Sequence, residues 1–60
     1  MYTLFLMVWV STTQPPKEQE IKFHNFEACE VVRIQHNNEY EDLMKNHIIE
    51  GYETFCKKTR

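Results

Sequence analysis

A chain of 60 residues makes one small domain. Folding buries only about 60% of the surface that such a chain exposes when unfolded, so a disulfide, a metal or self-association usually adds stability. Its composition, 42% hydrophobic and 27% charged, is that of a globular protein and excludes a disordered one. The net charge of −2 provides no basic field, and basic residues cluster only in the tail Lys57, Lys58 and Arg60, so direct nucleic-acid binding is not expected.

The N-terminal run MYTLFLMVWV is apolar from Leu4 to Val10. It is about half the length that a transmembrane helix needs, so we expect no membrane span. A cleaved signal peptide remains an alternative, although no basic residue precedes the apolar run. Its β-branched and aromatic residues predict instead a strand over residues 2–10 that is covered on both faces. One face carries Leu4, Leu6, Val8 and Val10, and the other carries Thr3, Phe5, Met7 and Trp9.

A polar loop and a short strand follow. Pro15 and Pro16 cannot donate to a sheet ladder and favour a loop. Residues 20–24 then alternate between polar and apolar, which predicts a half-exposed strand with Ile21 and Phe23 facing the core. Two strands joined by a short loop most simply pair as an antiparallel hairpin.

A helix is predicted over residues 26–48. Asn25 is the expected N-cap, and Glu27 adds favourable charge in the first turn. Helical spacing gives the segment a core-facing stripe. The stripe consists of Phe26, Cys29, Val32, His36, Tyr40, Leu43 and His47, with Val31, Met44 and Ile48 beside it.

Two features in the second half of the chain bear on where the helix bends and where it ends. At Asn37-Asn38 we allow for a kink in the helix, because Asn38-x-x-Glu41 resembles a capping box. Gly51, the only glycine, is expected to cap the helix in the left-handed conformation. Residues 52–57 then alternate again and predict a third strand.

The order strand, strand, helix, strand predicts an α+β domain of ββαβ type, with a three-stranded antiparallel sheet and one long helix across one face. A single helix covers one face of a sheet only, and an uncovered apolar face marks an interaction site. We therefore expect Phe5, Met7 and Trp9 to contact a second copy in a two-fold homodimer or to dock on a target.

The two cysteines, Cys29 and Cys56, allow two interpretations. In a secreted chain they would form a disulfide worth roughly 3–4 kcal/mol from the restricted unfolded state. In a reducing cytoplasm they would more often be buried thiols. The compartment therefore stays open between the cytoplasm and the exterior.

No catalytic, metal or cofactor site is predicted. His36 and His47 lie about 16 Å apart along a straight helix, too far to share one ion, and no Cys-x-x-Cys or His-x-x-x-His spacing occurs. Cys29 near a helix start could have a lowered pKa, but nothing else in the sequence supports a nucleophile. We therefore expect a protein that is not an enzyme.

An acidic and aromatic cluster is the remaining candidate binding surface. It consists of Glu39, Tyr40, Glu41, Asp42, Tyr52 and Glu53, with Glu50 nearby. Such residues most often form a solvated face. The sharper interpretation is a surface that imitates nucleic acid or meets a basic patch on a host protein, where complementary charge speeds association and sharpens partner choice.

The chain as a whole resembles small ββαβ proteins of tailed bacteriophages. The matching features are the apolar run 1–10 with Trp9, the Pro15-Pro16 turn, the segment 23–30 that reads FHNFEACE, and 52–57 with Cys56. The resemblance implies inhibitors of bacterial defence systems, such as anti-CRISPR proteins, that act by stoichiometric binding in the host cytoplasm. Its implied partner is a host defence protein.

Overall fold

The computed structural model describes residues 1–59, and Arg60 of the basic tail lies outside them. In chain order the elements are β1 (Tyr2–Trp9), β2 (Lys17–Phe23), α1 (Phe26–Lys45) and β3 (Gly51–Lys58). The predicted α+β fold of ββαβ order is confirmed. β2 begins three residues before the predicted strand, because Lys17, Glu18 and Gln19 extend its pairing with β1.

The apolar strand β1 lies in the middle of the sheet, whose order is β2-β1-β3 with both pairs antiparallel. Leu4 pairs with Ile21 on one side and with Cys56 on the other. Because side chains alternate along a strand, the even-numbered residues of β1 face the helix and the odd-numbered residues face away. The faces predicted for β1 are therefore those that the sheet uses.

The helix α1 is continuous through the Asn37-Asn38 pair, which confirms the single predicted helix. Asn25 caps its start as predicted, with its side-chain oxygen 2.8 Å from the Ala28 amide nitrogen that donates to it. Asn37 is held by tertiary structure, since the Thr54 hydroxyl on β3 donates to its side-chain oxygen. The asparagines that weaken this helix locally are tolerated because the sheet provides a partner for one of them.

The helix ends at Lys45, three residues before the predicted end, in a turn closed by a left-handed residue. The Ile48 amide donates to the Leu43 carbonyl at 2.9 Å, and the His47 amide donates to the Met44 carbonyl at 3.0 Å. This is the hydrogen-bond pattern of a Schellman motif, whose left-handed position is held by His47 with φ of 58°. Gly51 does not have a positive φ and begins β3 instead, so its predicted capping role is wrong.

Substituting His47 by Gly is expected to raise the free energy of unfolding by about 1 kcal/mol, because glycine adopts the left-handed conformation without a Cβ clash. Urea denaturation followed by circular dichroism measures the change. His47→Ala is the matched control, since alanine removes the imidazole but retains the Cβ. Equal gains in both variants would mean that the imidazole, and not the backbone conformation, limits stability at this turn.

The core is small and lies between β1 and the first half of α1. Leu4, Leu6 and Cys29 are almost completely buried. Partly buried apolar side chains from every element pack around them, namely Tyr2, Ile21, Phe23, Val32, Tyr40 and Cys56. Cys29 and Cys56 are joined by a disulfide whose Cα atoms are 6.2 Å apart, so the start of the helix is covalently attached to the last strand.

Candidate interaction surfaces

The face of the sheet opposite the helix is uncovered, and we call it the open face. It is centred on Phe5, Met7 and Trp9 of β1 and on Phe55 of β3, which are all partly exposed. Phe5 and Phe55 pair directly across the strands, and their rings stack with centroids 4.9 Å apart. The structure therefore brings the three predicted interface residues together and adds Phe55, which the alternation of β3 placed on this face.

Charged residues border the open face in a regular order. Lys22 and Lys57 lie on either side of Thr3, at one end. Glu18 and Glu53 lie on either side of Met7, two residues beyond the Phe5 level. The open face thus has a basic end, an acidic end, and a centre where Glu20 lies beside the stacked aromatic rings.

On the helix side of the sheet, Tyr40 of α1 and Tyr52 of β3 pack together with ring centroids 5.5 Å apart. The Tyr52 hydroxyl donates a 2.5 Å hydrogen bond to the Glu41 carboxylate. A bond to a carboxylate is charge-assisted and fixes the ring direction more firmly than a neutral one. The Tyr52 side chain is therefore ordered by two neighbouring residues of α1, Tyr40 and Glu41.

Both phenol pKa values are raised in this cluster. The hydrogen bond to Glu41 is the main cause at Tyr52, followed by burial. Burial is the main cause at Tyr40, followed by the charge of Glu39. The protonated phenol is thus favoured at both tyrosines.

The other predicted members of this cluster do not all join it. Glu39 and Asp42 are exposed on the same part of α1. Glu53 pairs with Met7 and lies on the open face, because it neighbours Tyr52 on a strand and so points to the opposite side. We therefore define the acidic-aromatic surface as Glu39, Tyr40, Glu41, Asp42 and Tyr52, without Glu53.

An apolar groove of about 330 Å³ lies beside Tyr40. Its floor includes Leu6, Val8 and Val10, and Lys17 contributes to its lining. The helix packs more closely against β3 than against β1 or β2, and the groove is lined mainly by residues of β1 and β2. The sequence pattern did not lead us to predict this groove. The feature that indicates it is the pairing of polar Lys17 and Gln19 with apolar Val8 and Leu6 on the helix-facing side of the sheet.

His36 makes a hydrogen bond within the helix, and both cysteines form the disulfide. The His36 ring nitrogen Nδ1 is 2.9 Å from the Val32 carbonyl oxygen one turn earlier. Within residues 1–59, no three His, Cys, Asp or Glu side chains are grouped as metal ligands would be. Across the same part of the chain, no helix has the length and apolar content to cross a membrane.

Comparison of the chain with protein-family models, with curated proteins and with solved structures finds no match.

Proposed function

We propose that this protein is a small inhibitor that binds a component of a bacterial defence system stoichiometrically and without chemistry. The bacteriophage setting rests on the resemblance of the chain pattern. The observation that supports a binding role is the acidic-aromatic surface, where Tyr40 and Tyr52 are packed together and Glu41 holds the Tyr52 hydroxyl at 2.5 Å.

The chemistry of this surface suits a protein partner. Tyrosine is enriched among the few residues that carry most binding energy, because a rigid ring offers much contact area and a polar tip. Tyr52 is already ordered by its bond to Glu41, so little side-chain freedom remains to be lost on binding. The groove beside Tyr40 adds an apolar recess that a protruding side chain of the partner would fill.

The acidic residues predict the charge of the target. Glu39, Glu41 and Asp42 carry three carboxylates on adjoining helix positions. Complementary charge raises the association rate and disfavours wrong partners more than it adds affinity. The expected contact on the target is therefore a basic patch, such as one that normally binds nucleic acid in a defence complex.

The test is inhibition of a purified RNA-guided defence complex, titrated with this protein. We expect cleavage of target DNA to stop at a fixed molar ratio, and Tyr52→Ala to weaken inhibition by tenfold or more, since loss of a central aromatic contact costs about 2 kcal/mol. Ile34→Ala is the control, because Ile34 is a half-exposed apolar residue of α1 that does not belong to the acidic-aromatic surface. Equal inhibition by wild type and both variants would contradict this surface as the binding site. Failure to inhibit any defence complex would contradict the function.

The disulfide favours a second candidate, a small secreted protein. Disulfides persist in oxidising compartments and are rare in the cytoplasm, and Cys29 and Cys56 are bonded. The secreted alternative also includes cleavage of the N-terminal segment as a leader. That cleavage would remove Leu4 and Leu6, which are buried in the core. The intact mass of native material separates the candidates. A loss of two hydrogens supports the disulfide, and a further loss of the N-terminal residues supports a leader.

A further inference from the structure

The charges on the open face form a self-complementary pattern. Counting along β1, the Thr3 level is basic, with Lys22 and Lys57, and the Met7 level is acidic, with Glu18 and Glu53. The two levels are four residues apart, about 13 Å, and the stacked Phe5–Phe55 pair lies midway between them. All four of these charged side chains are exposed.

We propose that the open face binds the open face of a second copy of this chain, with the strands of the two copies running in opposite directions. The two-fold axis passes across the strands at the level of Phe5. This rotation leaves β2 over β2 and β3 over β3 but exchanges the two ends. Lys22 then lies over Glu18 of the other copy, and Lys57 lies over its Glu53.

The charges select this arrangement over the other two-fold one. An axis parallel to the strands would exchange β2 and β3 and leave the ends in place. Lys22 would then lie over the other copy's Lys57, and Glu18 over its Glu53. Like charges directly opposed across an interface are unfavourable, whereas the antiparallel arrangement makes four opposite-charge pairs.

The aromatic centre supplies the apolar contact. Phe5 and Phe55 of each copy meet the same residues of the other copy, which removes the 40% exposed surface of Phe55 from water. Stacked sheets pack about 10 Å apart, a distance that Lys and Glu side chains span between them. One contact is unfavourable, because Glu20 pairs with Phe5 and so meets the other copy's Glu20 at the axis.

The size of the face sets the expected strength. Three strands of seven or eight residues present roughly 15 by 26 Å, or about 400 Å² per copy, which is about half of the roughly 800 Å² per partner that a standard specific interface buries. Association is therefore expected to be weak and reversible. The proposed self-association does not rest on the proposed function, because the acidic-aromatic surface lies on the other side of the sheet.

Sedimentation equilibrium of the full chain measures the association. Concentrations from roughly 5 to 500 μM bracket weak association, and charge-reversed variants test the antiparallel arrangement. The basic end is reversed in Lys22→Glu/Lys57→Glu, and the acidic end is reversed in Glu18→Lys/Glu53→Lys. Each variant alone places like charges opposite one another and should associate at least about tenfold more weakly than wild type. An equimolar mixture of the two should form a heterodimer. Glu20→Gln, in contrast, should tighten the wild-type dimer.

The outcomes decide the proposal. A monomeric wild type at the highest concentration overturns it, as does a dimer that neither charge reversal weakens, since that dimer would use another surface such as a sheet edge. Two weakened variants whose mixture does not associate also overturn the antiparallel arrangement. Circular dichroism of each variant checks that folding is retained, as expected because all substituted residues are exposed.

Discussion

Reduction of the Cys29–Cys56 disulfide is expected to lower the free energy of unfolding by roughly 3–4 kcal/mol. The bond closes a loop between residues 27 apart in sequence, and opening it restores conformational freedom to the unfolded chain. A 60-residue domain has a total stability of only about 3–9 kcal/mol, so this bond accounts for a large fraction of it. At the lower end of that range, the reduced protein should be largely unfolded.

Urea denaturation with and without a reductant measures the effect. The double variant Cys29→Ala/Cys56→Ala is the matched control, because a reductant has nothing to reduce in it and should not shift its unfolding midpoint. Alanine is chosen because Cys29 is fully buried and a serine hydroxyl there would lack a partner. A reductant effect under about 1 kcal/mol in the native protein would show that the restricted loop contributes little.

Leu4→Ala is expected to destabilise the protein by about 3–5 kcal/mol. Leu4 has no exposed surface and lies on the central strand, between Ile21 and Cys56 and close to Cys29. Shortening it removes buried methyl groups and leaves a cavity that the surrounding strands and the disulfide prevent from collapsing. The loss is at least about a third of the stability expected for so small a domain.

Thermal and urea unfolding of Leu4→Ala are compared with those of Ile34→Ala, which removes a side chain of the same size at a half-exposed position on the helix. The control should change stability by no more than about 0.5 kcal/mol. A similar loss in both variants would show that burial of Leu4 is not what distinguishes the two sites.

The sequence could predict elements where local chemistry and periodicity agree with the tertiary structure. The alternation of β1 identifies Leu4 and Leu6 as core residues, and the side chain of Asn25 identifies the helix start. The helix end was not predictable by the glycine rule, because a histidine holds the left-handed position four residues before Gly51. Helical spacing also stops at that turn, so it does not predict the residues that follow. Ile48 was expected beside the core-facing stripe of the helix but is exposed, and Ile49 is buried instead.

The surfaces were predictable to a smaller extent. Alternation places Phe5, Met7 and Trp9 on one face, but it also separates Glu53 from Tyr52, which clustering in sequence does not reveal. The contact between Tyr40 and Tyr52 depends on how α1 lies over the sheet, and so does the groove beside Tyr40. The crossing position of a helix is set by packing volumes across the whole core, which no local pattern contains.

The central position of β1 has a consequence for how the protein reaches its folded state. β1 pairs with β3, which lies at the opposite end of the described chain, and Thr3 and Thr59 are hydrogen-bonded although 56 residues apart in sequence. Until β3 emerges from the ribosome, one edge of the most apolar strand has unpaired amides and carbonyls. Slow, non-local pairing of this kind exposes a nascent chain to aggregation. Yield during synthesis should therefore depend on how soon β3 docks, and a chaperone that shields β1 should raise it.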